Sequence, residues 1–130
     1  MTTPAVLDAS AALAYLLHET GGEKVKKALP AAIMSAVNLC EVLNKIGKHT
    51  GIENAGKAQA KLGGELYSVE PFLPDDAVAA TAIYIASRHL GLSLGDCICL
   101  SLGQKLNSDV WTCDRNWAKL DACYRVIVIR

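Results

Sequence analysis

Short apolar runs alternate with helix-like stretches along the whole sequence, and no other feature constrains the fold as tightly. The runs are Ala5 to Leu7, "AAIMSA" ending near Met34, "ELYSVEPF" with Leu66 and Val69 inward, Val110 to Cys113, and "RVIVI". The first is followed by a helix from Ser10 to about Leu17. That helix breaks at Gly21 and Gly22, and a short basic helix follows with Val25, Ala28 and Leu29 on one side. After the second run, Val37, Cys40, Leu43 and Gly47 recur at helical spacing. Ile52, Ala55, Ala58 and Leu62 mark the face of the next helix, closed by Gly63 and Gly64. Pro71 and Pro74 end the third strand. Two further helices, "DDAVAATAIYIASRHLG" and "LSLGDCICLSLGQKLN", precede the fourth. Strands alternating with helices predict an α/β fold: a three-layer α/β/α sandwich on a mainly parallel sheet of about five strands. "VIVI" reads as a strand buried on both faces.

The length, 130 residues, suits one domain spanning 1–130, with no repeat or linker. Hydrophobic residues make up 52% but include one Phe, so Ala, Leu, Ile and Val must fill the core. Thirteen acids balance thirteen bases, which leaves no global field to draw in a polyanion. A nucleic acid would have to be held by a local patch or by metal ions. The five cysteines read as buried free thiols. Cys97 and Cys99 lack the second close pair or nearby His that a zinc site needs. "MTTPAV" is no signal peptide, and no apolar stretch would span a bilayer. A cytoplasmic protein without membrane contact is expected.

Crossovers between parallel strands are right-handed, so all strand C-termini lie on one edge, where open α/β sheets bind ligands. Four acids map to that edge. Asp8 follows the first strand in "VLDASAALAYLL", and Asp114 follows the fourth in "WTCDRNW". Glu41 lies about two turns into the helix after the second strand, and Asp96 lies in the first turn of "SLGDCICLSLG". Each has an ordinary explanation. Asp8 is a good helix N-cap. Ser93 to Asp96 fits a capping box. Asp114 can cap the turn toward Trp117, which reads as a core anchor, and Glu41 can be an exposed helix acid. Together, clustered carboxylates raise each other's pKa unless a cation neutralises them. Mg²⁺ and Mn²⁺ prefer such hard oxygen ligands. Bound at such a site, they suit phosphodiester hydrolysis.

"VLDASA", "SAVNLCEVLNK", "LGDCICLSLGQKL" and "WTCDRNW" together make the chain resemble the PIN domain, a metal-dependent ribonuclease fold, over essentially its whole length. The small form resembles the VapC toxins of toxin–antitoxin pairs. The resemblance implies an endoribonuclease using Mg or Mn, with Asp8, Glu41, Asp96 and Asp114 as catalytic and metal-binding acids. Asp8 would be a central ligand and Asp96 would hold the same ion. Ser10 matches a hydroxyl often found after the first acid, and Thr112 or Asn116 a helper near the fourth. The implied partners are RNA, a small antitoxin and a second copy of the chain, and the implied products carry a 5′-phosphate and a 3′-hydroxyl. Cys97 and Cys99 depart from the small residues commoner there.

Arg115, beside Asp114, is the best-placed base for RNA, followed by Lys45 and Lys48. Lys57 with Lys61, and Lys24 with Lys27, read as solvated faces. His18, His49 and His89 lie at helix ends, where histidine suits the dipole. The alternative is an inactive module of the same fold that binds RNA or protein. A dehalogenase-type phosphatase needs a second Asp where Ser10 stands. A response-regulator receiver needs an acid pair at the first strand; Asp75 and Asp76 instead open a helix, as a cap.

Overall fold

The computed structural model describes residues 4–130. Among these, five strands form one sheet: Ala5–Leu7 (β1), Ala32–Ser35 (β2), Ser68–Glu70 (β3), Asp109–Thr112 (β4) and Val126–Val128 (β5). Their order is β3-β2-β1-β4-β5, and every pairing is parallel, where the sequence predicts a mainly parallel sheet. Six α-helices accompany them: Ala9–Leu16 (α1), Gly22–Ala28 (α2), Ala36–Thr50 (α3), Ile52–Glu65 (α4), Pro74–Ala86 (α5) and Leu94–Leu106 (α6).

Period-two alternation in β1 divides the core. Ala5 and Leu7 pack with α1, α2, α3 and α4 through residues such as Leu13, Val25, Val42 and Leu62. Val6 faces the other way, with Ile33 and Val110, onto α5 and α6 through Ala80, Ile83, Ile98 and Leu102. Trp117 closes this second half at 1% exposure, the core anchor expected of it. The large aromatics that the composition lacks are replaced by close backbone approach. A Cβ on Gly103 of α6 would overlap Cγ2 of Val110 in β4.

Several elements differ from expectation, each for a physical reason. The buried stripe of α3 runs through Asn38 and Val42, with Leu39 and Ile46 beside it, while Cys40 is exposed. Ile52 is exposed as the first residue of α4, beyond the packing of the α3–α4 hairpin. Gly63 and Gly64 lie inside α4, which runs on to Glu65. Pro74 starts α5, where its missing N–H has no helical partner to lose. β5 is an edge strand and only half-buried. Of the cysteines, Cys97 and Cys99 are buried, Cys113 is intermediate, and Cys40 and Cys123 are exposed. Asp76 does cap α5, accepting the Leu73 N–H at 2.8 Å.

β1 and β4 are neighbours whose onward connections leave in opposite directions. Their C-terminal ends therefore form the crevice where the strand order reverses.

Candidate active site

Asp8 sits at the end of β1 in that crevice. Its N–H still bonds the Trp111 carbonyl at 3.1 Å, so the residue continues the β1–β4 ladder. Its side chain caps α1, with Oδ1 accepting the Ala11 N–H at 2.8 Å. Two hydroxyls complete its coordination. Ser10 Oγ donates to Oδ1 at 2.7 Å, and Thr112 Oγ1 donates to Oδ2 at 2.5 Å. Each hydroxyl is aimed by a backbone N–H from the β4 end: Cys113 N–H to Ser10 Oγ at 2.9 Å, and Asp114 N–H to Thr112 Oγ1 at 3.0 Å. Asp8 is 6% exposed. Burial raises its pKa above the ordinary carboxylate value; the three hydrogen bonds oppose the rise and the charge of Asp96 adds to it.

Glu41 is half-buried on α3. Asn38 Nδ2 donates to its Oε1 at 2.7 Å and to the Gly95 carbonyl at 3.0 Å, which ties α3 to the start of α6. The Glu41 carboxylate lies over Gly95 so closely that a Cβ there would overlap it. Asp96, one residue on, completes a capping box: Oδ2 accepts the Ser93 N–H at 2.9 Å, and Ser93 Oγ accepts the Asp96 N–H at 3.1 Å.

The Cys99 thiol on α6 is completely buried. Burial pushes its pKa well above the usual thiol range, and the charges of Asp8, Asp96 and Glu41 push it further. The charges of three acids, from three elements, thus bear on one side chain of α6. Asp114 stands apart. It is exposed, and its Oδ1 accepts the Asn116 N–H at 2.9 Å to cap the short helix Arg115–Lys119. Only its backbone N–H joins the Asp8 network. Asn116 turns its side chain to the Leu90 carbonyl at 3.2 Å, so Thr112 rather than Asn116 reaches Asp8. Arg115 Nε bonds the Arg130 carbonyl at 3.2 Å. Lys45 and Lys48 are exposed on the second half of α3 and make no ion pair among the described residues.

Among the described residues, no three Asp, Glu, His or Cys side chains close on one point as metal ligands. The donor chemistry nonetheless fits a hard divalent cation. The donors are carboxylates, and mutual charge and burial disfavour the ionised form of Asp8, which a cation would favour. Asn38 and Gly95 are the site's members that motif reading misses. Asn38 carries one signal, a polar residue four before Val42 on the buried stripe. Gly95 carries none beyond its place in the capping box.

The PIN domain profile matches residues 5–122. The chain belongs to the PIN domain family. No curated protein matches the sequence. Solved structures with the same PIN fold include a toxin–antitoxin complex from Klebsiella pneumoniae, 17% identical, with a TM-score of 0.70 and 95% of both chains covered. VapC20 of Mycobacterium tuberculosis, titled a sarcin-ricin loop cleaving toxin, is 17% identical, with a TM-score of 0.71 and 88% of this chain and 92% of that one covered. VapBC2 from Rickettsia felis, bound to a DNA fragment from its promoter, is 13% identical, with a TM-score of 0.74 and coverage of 95% and 96%.

Proposed function

We propose that this chain is a single-domain, metal-dependent endoribonuclease that acts in the cytoplasm as the toxin of a toxin–antitoxin pair. The observation that carries the reading is Asp8, buried at the β1–β4 switch point with both oxygens held, and Glu41 tied through Asn38 to the start of α6, where Asp96 stands. Its family and the toxins among its structural neighbours point the same way.

Asp8 and Asp96 would hold Mg²⁺ or Mn²⁺, with Glu41 completing the set. Asp114 would join by releasing its cap. The bound cation would lower the pKa of water and neutralise charge on the phosphate. Asp8 stays fixed throughout, because Ser10 and Thr112 each hold one of its oxygens. Arg115 sits beside the crevice to meet the RNA backbone. Cleavage in line leaves a 5′-phosphate and a 3′-hydroxyl. The capping bonds of Asp96 and Asp114 favour the second reading, an inactive PIN module that binds RNA or protein.

RNA cleavage by the purified chain in Mn²⁺ or Mg²⁺, set against EDTA and against Asp96→Asn, separates the two. The ribonuclease reading expects activity to vanish in EDTA and to fall by about 100-fold or more in the variant. Cleavage that survives EDTA would sink it, and so would an Asp96→Asn chain as active as the parent.

A further inference from the structure

Asn38 is 1% exposed and lies on the stripe of α3 that is otherwise apolar. Its orientation is unambiguous, because both partners of Nδ2, Glu41 Oε1 and the Gly95 carbonyl, are acceptors. Its Oδ1 is buried with no donor among the described residues. Such an unmatched buried acceptor loses its hydration without a replacement bond. For stability alone the amide is therefore a poor occupant of this stripe, and an aliphatic side chain would avoid the cost. What the amide does provide is a fixed direction for a carboxylate. One N–H grips Glu41, the other grips the backbone of the residue before Asp96, and the Cβ-less Gly95 leaves the space into which the carboxylate is drawn.

We propose that Asn38 and Gly95 are positioning residues that set the Glu41 carboxylate over the N-terminus of α6 and register it against Asp96. The proposal deepens the metal-dependent reading and rests on it. Asn38 supplies the hydrogen bond, and Gly95 supplies the room. Neither side chain offers an atom to substrate. Glu41 has three or more rotatable bonds, and without the pair it would lose the single geometry that cation binding uses. Partners of this kind that orient a ligand are worth about 10–100-fold in metal affinity.

The test is a cycle on the full chain, read by calorimetric Mn²⁺ affinity, RNA cleavage rate and thermal midpoint. The variants are Asn38→Ala, Gly95→Ala, Glu41→Gln, and each of the first two combined with Glu41→Gln. Expected is a loss of Mn²⁺ affinity of about 10-fold or more in each of the first two variants, and no further loss when either is added to Glu41→Gln. Gly95→Ala guards against misfolding. The three atoms nearest the added methyl all belong to the end of the Glu41 side chain, and alanine suits a helix, so affinity should fall while the thermal midpoint holds. Equal losses with and without Glu41 would show that Asn38 acts through packing and overturn the proposal. So would a Gly95→Ala chain of unchanged affinity. A parent chain that binds Mn²⁺ but cuts no RNA would refute the ribonuclease reading, and the affinity cycle would still decide this one.

Discussion

Asp8 accepts three hydrogen bonds and still has a raised pKa, because burial outweighs them and Asp96 adds its charge. Linkage fixes the sign of the consequence. In the folded protein Asp8 holds its proton at a pH where the unfolded chain has released it. Stability therefore falls as pH rises from the ordinary carboxylate value toward the raised one, and stays lowered above it. Asp8→Asn removes that charge, and the hydroxyls of Ser10 and Thr112 can accept from the new amide as well as donate. The variant should be inactive yet more stable at neutral pH, by about 0.5–2 kcal/mol. Its advantage should shrink as pH drops through the folded pKa of Asp8 and be gone below about pH 4. Calorimetric unfolding of both chains across that range checks it, and a variant less stable than the parent at neutral pH would contradict it. At this scale the sequence was informative about Asp8 because a carboxylate between an apolar strand and a helix has few uses. It was silent on whether Thr112 or Asn116 assists, since that turns on which side chain points inward after β4.

At the scale of elements, the packing of α6 on β4 depends on Gly103. Alanine would gain roughly 0.5–1 kcal/mol in helix propensity. It would also drive a methyl into Cγ2 of Val110, whose branched side chain is stiff and buried on both sides. Overpacking of this kind costs about 1–3 kcal/mol. The clash should win, and Gly103→Ala should be destabilised by about 1–2 kcal/mol in urea unfolding. Val110→Ala, destabilising by itself, should recover part of that loss in the double variant. Periodicity was enough for the alternation of strands and helices, since every predicted strand and helix exists. It failed on the face of α3. Apolar spacing selects Val37 and Cys40, whereas the buried stripe includes Asn38, whose Nδ2 donates to the backbone of a different helix. It failed at "VIVI" too, because composition cannot tell an edge strand from a central one. Pro74 was read as an end when it is a beginning, an ambiguity intrinsic to a residue that suits both places.

The whole molecule has no net charge and leaves large apolar side chains uncovered on one side: Val78, Tyr84 and Ile85 on α5 and Leu94 at the start of α6. Tyr84 and Leu94 line a groove of about 360 Å³ between the two helices that reaches Phe72 and Ile98. We predict that two copies of the chain pair across this face. Sedimentation equilibrium should give twice the chain mass of 13.8 kDa for the parent and the single mass for Ile85→Lys; a monomeric parent at micromolar concentration would count against it. The strand order has a different kind of consequence. Asp8 takes its Oδ2 donor from Thr112, a partner 104 residues further along the chain, and the strand that carries Thr112 is the fourth of five to be made. A chain still being made therefore lacks the Thr112 bond to Asp8 until β4 has been added. The first acid emerges early and waits, and the crevice exists only once β4 has left the exit tunnel and slotted in beside β1. A fragment that ends before β4 lacks the Asp8–Thr112 pairing, and on the proposed function it lacks the nuclease site with it.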